Sequence, residues 1–126
     1  MKFTVATLAL VGTMAFGAYG ARGTLAAQAP KSQWDGIYTA EQAKRGEKVY
    51  ADACEACHGS SLTGGEMAPG LVGSEFNSNW NDLSVRELFD RIKISMPSND
   101  PGSLNAQQTS DVLSFIFAKA AVPAGT

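Results

Sequence analysis

The sequence is poor in the residues that bind metals or form disulfides, since its 126 residues include two cysteines and one histidine. Two cysteines cannot form the framework of a disulfide-rich secreted domain, and with one histidine they leave a structural zinc site one ligand short. The formal charge of −2 argues against a nucleic-acid-binding protein, because such proteins carry basic patches. The 44% share of apolar residues excludes general disorder, and the length fits one domain.

Strand-like alternation and internal repeats are also absent, whereas three segments combine a helix start signal with helical periodicity. Each start signal is a capping box, in which a polar side chain and a Gln or Glu three residues later bind each other's backbone N–H groups. The three predicted boxes are Thr39/Gln42, Ser84/Glu87 and Asn105/Gln108. Residues 59–82, rich in Gly, Ser, Asn and Pro, show no sustained period and are predicted to form a long loop around a bound group. The sequence therefore predicts a small all-α domain with long loops.

The first 27 residues have the composition of a bacterial export signal. Lys2 gives a positive start, residues 3–20 carry no charge, and small residues lead to a cleavage site expected near Ala27. An uncleaved membrane anchor is the alternative, because an uncharged run of about 18 residues is the lower limit for a spanning helix. Cleavage would leave 99 of the 126 residues, a size at which a metal, a cofactor or a partner is expected to help stabilise the core.

The strongest signal in the chain is Cys54-Glu55-Ala56-Cys57-His58, the attachment signature of a c-type haem. Two thiols three positions apart at a helix end can bond to the two vinyl groups on one porphyrin edge, and His58 is then held under the iron. The alternatives are a thioredoxin-like redox pair, a zinc site and buried structural cysteines. A thioredoxin-like pair requires a βαβ unit and a zinc site requires a fourth ligand, and the sequence has neither. Buried structural cysteines would leave the long loop unexplained.

Over residues 39–120 the chain resembles the class I cytochromes c. It is most similar to small periplasmic cytochromes and to the haem subunits that accompany quinoprotein alcohol and sugar dehydrogenases. Besides the cysteine motif, the segments that carry this likeness are Gly64–Gly73, Phe76–Trp80 and Met96–Leu104. The resemblance implies a small cytochrome c fold of three to five helices around one covalent haem c, preceded by an N-terminal linker over 28–38 and followed by a tail over 121–126.

The resemblance also implies which groups hold the haem. Cys54 and Cys57 would attach it covalently, and His58 and Met96 would be the axial ligands of its iron. Met96 ends an amphipathic helix at a proline, where its thioether lies on a fixed loop. Met67, the other methionine left after cleavage, is expected to pack against the porphyrin edge. For either methionine the alternative is a flexible core filler.

Two further residues around the haem follow from the resemblance. The carbonyl of Pro69 would accept a hydrogen bond from the ring of His58, as a metal-bound histidine usually requires. The indole N–H of Trp80 would reach a haem propionate. Simple packing of this large aromatic ring in the core is the alternative for Trp80.

The first predicted helix carries two features beyond its cap. Gly46 and Tyr50 lie on one helical face, which favours a close crossing with the last helix at Phe115 and Ile116. The alternative is that Gly46 is tolerated without a structural role. Three basic residues just ahead of the cysteines are expected to form a solvated helix face rather than a docking site. These residues are Lys44, Arg45 and Lys48.

These observations predict a periplasmic electron-transfer protein without catalytic residues. An iron with both axial positions filled has no vacant site for a substrate, and it changes charge with little change of geometry. The expected partners are a donor dehydrogenase or cytochrome complex and a terminal acceptor such as an oxidase. Nucleic acid is not expected as a partner, and the cleaved protein is expected to have no membrane span. The second prediction is a bound subunit of a quinoprotein alcohol or sugar dehydrogenase, held partly by residues 28–38. In a third, which no sequence feature favours, Met96 detaches and the iron binds a small ligand.

Overall fold

A computed structural model describes residues 31–126 of the chain. The predicted signal peptide, residues 1–27, and the first residues of the predicted linker lie outside this range. The described part contains helices and no strands, which confirms the predicted all-α fold. Its five helices, in chain order, are α1 (Ala40–Ala53), α2 (Glu55–His58), α3 (Gly73–Trp80), α4 (Val85–Ser95) and α5 (Ala106–Lys119). In residues 31–126 no helix combines the length and apolar character that crossing a membrane requires.

All three predicted capping boxes are present, at the starts of α1, α4 and α5. At α1 the backbone N–H of Thr39 donates to Oε1 of Gln42 over 2.8 Å, and the Thr39 hydroxyl accepts from the Gln42 N–H over 3.3 Å. Helix α4 ends where the proline predicts, because Met96, which precedes Pro97, has an extended backbone. Local side-chain chemistry therefore fixes where the three longest helices begin.

Helices α1 and α5 form the main helix-to-helix contact of the described residues. Gly46 makes their close approach possible, because a Cβ atom there would overlap the backbone carbonyl of Asp111 and lie 2.9 Å from Cβ of Phe115. One turn further along α1, the Tyr50 ring packs on the Phe115 ring at a centroid distance of 5.2 Å. The crossing predicted from Gly46 and Tyr50 is confirmed.

The three basic residues of α1 are predicted to form a solvated helix face, and Arg45 departs from this prediction. The guanidinium of Arg45 donates from two nitrogens to the two carboxylate oxygens of Asp111 on α5, over 2.9 and 2.8 Å. The Asp111 side chain is 6% exposed and also accepts from Nε2 of Gln107 over 2.9 Å. Arg45 therefore joins two helices, because a buried carboxylate needs charged and polar partners. Lys48 binds Asp52 one turn along α1, and the Lys48 side chain is exposed as expected.

The stretch 59–82 is not a loop throughout, since α3 lies within it. This helix contains one buried residue, Phe76, whose ring packs against Trp80 at a centroid distance of 6.4 Å. Val72 precedes it without a side-chain cap, and its Gly, Ser and Asn residues are weak helix formers. The helix was missed because tertiary contacts, rather than a local pattern, stabilise it.

Residues 31–38, predicted as part of a linker, and the tail after residue 120 both pack on the helical domain. The backbone carbonyl of Lys31 accepts from the N–H of Val85 over 3.0 Å, and Nε2 of the buried Gln33 donates to Oδ1 of Asn81 over 2.8 Å. The hydroxyl of Tyr38 donates to the carbonyl of Val122 over 2.7 Å. These contacts explain why both segments are ordered parts of the domain.

Candidate functional site

A cavity of about 560 Å³ lies between the cysteine motif, α3, α4 and α5. This volume falls in the range of about 300–1,000 Å³ that is typical of ligand and cofactor pockets. Every site residue predicted from the sequence lines it, although these residues come from four separate stretches of the chain. They are Cys54, Cys57, His58, Pro69, Trp80 and Met96. Its apolar walls include Leu71, Phe76, Leu88, Ile92, Val112 and Ile116.

The two cysteines lie at the junction of α1 and α2. Cys54 caps the end of α1, where its N–H donates to the carbonyl of Tyr50 over 2.8 Å, and its own carbonyl accepts from the N–H of His58 over 3.0 Å. Both cysteines are free thiols. Burial, followed by the nearby Cys57, raises the pKa of Cys54 to about 11. The short helix α2 thus presents both thiols and the imidazole to one cavity.

The ring of His58 is fixed by a single hydrogen bond. Its Nδ1 lies 2.8 Å from the carbonyl oxygen of Pro69, and the residue is buried. Because a carbonyl oxygen only accepts, Nδ1 carries the hydrogen of this bond, and Nε2 is the ring nitrogen left for another partner. This is the arrangement of a histidine prepared to bind a metal through Nε2. It is also the contact that the resemblance implied for Pro69.

Backbone hydrogen bonds in the loop after α2 hold Pro69 in place. The carbonyl of His58 accepts from the N–H of Gly64 over 3.0 Å, and the N–H of Leu71 donates to the carbonyl of Leu62 over 2.7 Å. Leu62 is almost fully buried, with a φ of 60°. A non-glycine residue in this left-handed region is uncommon, so its buried side chain and the backbone bond at Leu71 hold it there.

Gly64 gives the first testable prediction, because it has a φ of +75° and a Cβ atom there would overlap the backbone of Ala68, Pro69 and Gly70. We expect Gly64→Ala to displace Pro69 from His58 and to lower the free energy of unfolding by about 2 kcal/mol. Chemical denaturation measures the stability, and the NMR signal of the Nδ1 proton reports the hydrogen bond. The neighbouring Gly65 has no atom within 4 Å of its Cβ position, so Gly65→Ala is the matched control. Equal effects of the two variants would contradict the prediction.

Tyr50, which the sequence assigns only to the helix crossing, does not line the cavity but contacts the chain next to it. Its hydroxyl donates to the carbonyl of Gly59 over 2.6 Å, directly after His58 in the chain. Burial, followed by Cys54 and Glu55, raises the pKa of Tyr50 to about 12, so the hydroxyl keeps its proton and remains a donor. Tyr50 thereby ties the start of the loop to α1. Its spacing from Gly46 indicated a buried face, but no sequence pattern indicated this contact.

The two methionines occupy different positions at the cavity. Met96 is half-buried at the end of α4, where its N–H donates to the carbonyl of Ile92 over 3.0 Å. Met67 lies in the loop after α2 and is 80% exposed, although it also lines the cavity. Met96 is therefore the methionine whose backbone is fixed by a helix, whereas Met67 lies at the mouth.

Trp80 forms the end of α3 and is half-buried against the core. Within residues 31–126 its indole N–H has no hydrogen-bond partner, while its ring packs on Phe76. A donor that lines a cavity without a protein partner fits either of the two roles considered from the sequence.

An all-α domain with a Cys-x-x-Cys-His motif in an apolar cavity is a small c-type cytochrome, an electron-transfer domain. The family model described as "Cytochrome C oxidase, cbb3-type, subunit III" matches residues 41–116. This match covers more than half of the sequence, and the chain belongs to this family of c-type cytochrome domains. No curated protein matches the chain.

Among solved structures, the chain is similar to a chain of "Crystal Structure of the Sulfane Dehydrogenase SoxCD from Paracoccus pantotrophus". The sequences are 20% identical, the TM-score is 0.54, and the match covers 80% of this chain and 60% of that chain. At this identity the likeness supports the fold. The protein in that structure is larger than the part that this chain matches.

The cavity fits the covalent haem c that the family implies. Its two free thiols have the spacing for thioether bonds, and the imidazole beside them has its tautomer set for binding through Nε2. Apolar side chains form most of the remaining wall, as an apolar macrocycle requires. The family implies one covalently bound haem c as the cofactor of this domain, and Cys54 and Cys57 have the spacing to attach it.

Proposed function

We propose that the chain is a periplasmic carrier of single electrons, in which His58 and Met96 would bind the haem iron. It would accept electrons from a dehydrogenase or a cytochrome complex and donate them to a terminal acceptor. The observation that carries the proposal is the hydrogen bond from Nδ1 of His58 to the carbonyl of Pro69. This bond fixes the orientation and tautomer of an imidazole at the wall of the cavity that Met96 also lines.

Different residues of the chain would bind the haem and set its reduction potential. Cys54 and Cys57 fix the cofactor, Pro69 orients His58, and the end of α4 positions the Met96 thioether. When bound, the haem supplies a one-electron couple, which ligation by histidine and methionine shifts toward positive potentials. The apolar walls act in the same direction, because a low dielectric disfavours the additional charge of the oxidised state.

The test of the ligand assignment is Met96→Ala. We expect the reduction potential to decrease and the reduced protein to bind carbon monoxide at neutral pH. Removal of the thioether would leave the iron open to an added ligand. A redox titration followed in the visible spectrum measures the first effect, and difference spectra measure the second.

Met67→Ala is the matched control, because it removes the other methionine that lines the cavity. We expect this variant to keep its potential and to bind no carbon monoxide. The assignment to Met96 is wrong if Met67→Ala opens the iron and Met96→Ala does not. If the unmodified protein binds carbon monoxide, the third prediction, in which Met96 detaches and the iron binds a small ligand, replaces the carrier.

A second candidate function is a bound cytochrome subunit of a quinoprotein dehydrogenase complex. Its support is the sequence resemblance to the haem subunits of such dehydrogenases, and the solved structure with a similar fold is titled a sulfane dehydrogenase. The segment expected to hold such a partner, residues 28–38, makes contacts within its own chain from Lys31 onward, whereas Trp34 remains 48% exposed. Co-purification with a larger catalytic chain would favour the subunit, and a monodisperse monomer that exchanges electrons with several partners would favour the free carrier.

The periplasmic location is tested by the fate of residues 1–27. We expect the haem-containing protein to occur in the periplasmic fraction and to begin near Gln28 on N-terminal sequencing. Cytoplasmic protein with an intact N-terminus would contradict this part of the proposal.

A further inference from the structure

Among the described residues that line the haem cavity, one carries a positive charge, Arg91 on α4. Arg91 is one turn before Ser95 and lies beside two apolar residues of the wall, Leu88 and Ile92. Because Arg91 is exposed and also lines the cavity, it lies at the cavity mouth. A cation at the mouth of an otherwise mainly apolar cavity calls for an explanation, because nothing in the proposed electron transfer uses it.

The acidic neighbours of Arg91 on its own helix bind other groups. One turn earlier, Oε2 of Glu87 accepts from the N–H and the hydroxyl of Ser84, over 2.7 and 2.8 Å, as part of the capping box. Asp90 accepts from Nε of Arg86 over 2.8 Å. Within residues 31–126, three ion pairs occur, and Arg91 takes part in none of them. The guanidinium is thus available to a ligand at the cavity.

The haem that this cavity fits carries two propionate carboxylates on an otherwise apolar macrocycle. An amphipathic group of this kind places its apolar body inside and its charges at the mouth, where they keep part of their hydration. Arginine is the side chain best suited to a carboxylate there, because its planar guanidinium offers two parallel N–H donors. The other charged residue beside the cavity, Glu75 on α3, has the wrong sign.

We propose that Arg91 is a cofactor-binding residue that pairs with a haem propionate and raises the reduction potential. The inference rests on the haem site of the proposed function. A positive charge beside the propionate offsets its negative charge, which otherwise favours the oxidised state. Trp80, on the neighbouring wall, is the second donor predicted for the same edge of the haem.

The experiment compares Arg91→Gln and Arg91→Lys with Arg86→Gln in the intact haem protein. Arg86 is also on α4 and its side chain is 80% exposed, but it does not line the cavity. Both glutamine variants remove one positive charge from the same helix. We expect Arg91→Gln to raise the ratio of oxidised to reduced protein about twofold to tenfold at a fixed applied potential and pH. Arg91→Lys should restore most of the potential, and Arg86→Gln should change it little.

A second readout separates a propionate contact from a general charge effect. Redox-difference infrared spectra should show a shifted propionate carboxylate band in Arg91→Gln and an unchanged band in Arg86→Gln. Equal potential shifts in the two glutamine variants, or unchanged infrared bands in both, would overturn the inference. So would loss of the Arg91→Gln effect in a Glu75→Gln background, because Arg91 would then act through Glu75.

The failure of this inference is distinguishable from failure of the proposed function. Mass spectrometry of each variant shows whether haem is attached, and the Met96→Ala titration shows whether that residue binds iron. If the unmodified chain lacks haem, the proposed function fails. If haem is present and Arg91 behaves like Arg86, only the role of Arg91 is wrong.

Discussion

Cys57→Ala is expected to yield little folded protein, and so is His58→Ala. Each removes a direct attachment of the haem, and the haem is expected to form the centre of the core. An unfilled cavity costs about 24 cal/mol for each Å³ in measured core truncations. The cavity of about 560 Å³ is open at its mouth, so entering water reduces this cost. A loss of several kcal/mol is nevertheless a large fraction of the stability of a typical domain, about 5–15 kcal/mol.

Three measurements on the exported variants check this expectation. Mass spectrometry reports the covalent haem, the visible spectrum reports ligation, and thermal unfolding followed by far-UV circular dichroism reports the fold. Ala56→Ser is the control, because Ala56 is exposed between the two cysteines and the change preserves the motif spacing. We expect the control to behave as the unmodified protein does. A Cys57→Ala chain that unfolds cooperatively with native helicity would show that the fold does not depend on the cofactor.

The sequence predicts the helices whose signals are local. A capping box spans four residues, so Thr39, Ser84 and Asn105 identify the starts of α1, α4 and α5 without reference to the rest of the chain. The proline after Met96 marks the end of α4 in the same way. Gly46 and Tyr50, one turn apart, also indicate the face on which α1 meets α5.

Features that depend on distant residues escape this kind of prediction. Helix α3 has no side-chain cap and one buried residue, Phe76, so its stability depends on contacts with other elements. Arg45 and Asp111 are 66 positions apart, and no spacing rule connects them. From the sequence, Arg45 has the same appearance as its exposed neighbours Lys44 and Lys48.

The residues of the candidate site also differ in how far the local sequence indicates them. Cys54, Cys57 and His58 form one contiguous motif, which carries its own chemical explanation. Pro69 and Met96 follow from the resemblance to a family, and the structure places both at the cavity. Arg91 has no motif, and periodicity alone assigns it to the exposed side of α4. Its position at the cavity mouth depends on how α4 packs, which only the assembled fold defines.

The close approach of α1 and α5 leads to the second large effect, which is expected for Gly46→Ala. At a typical exposed helix position, alanine is more favourable than glycine by about 1 kcal/mol. Here we expect the opposite sign, with a loss of about 3 kcal/mol in the free energy of unfolding. The added Cβ would overlap the backbone carbonyl of Asp111, so α1 and α5 must separate. Denaturant unfolding of the haem protein measures the change.

Two variants show whether the backbone contact is the cause. Glu47→Ala changes the exposed neighbour of Gly46 on the same helix and should alter stability by less than about 0.5 kcal/mol. Truncating Phe115 in the Gly46→Ala background should not restore stability, because the main overlap is with the carbonyl of Asp111 and a smaller side chain on α5 cannot move that atom. If truncation of Phe115 does restore stability, the side chain sets the distance between α1 and α5. If Gly46→Ala stabilises the protein, the two helices do not approach as closely in solution as the crossing requires.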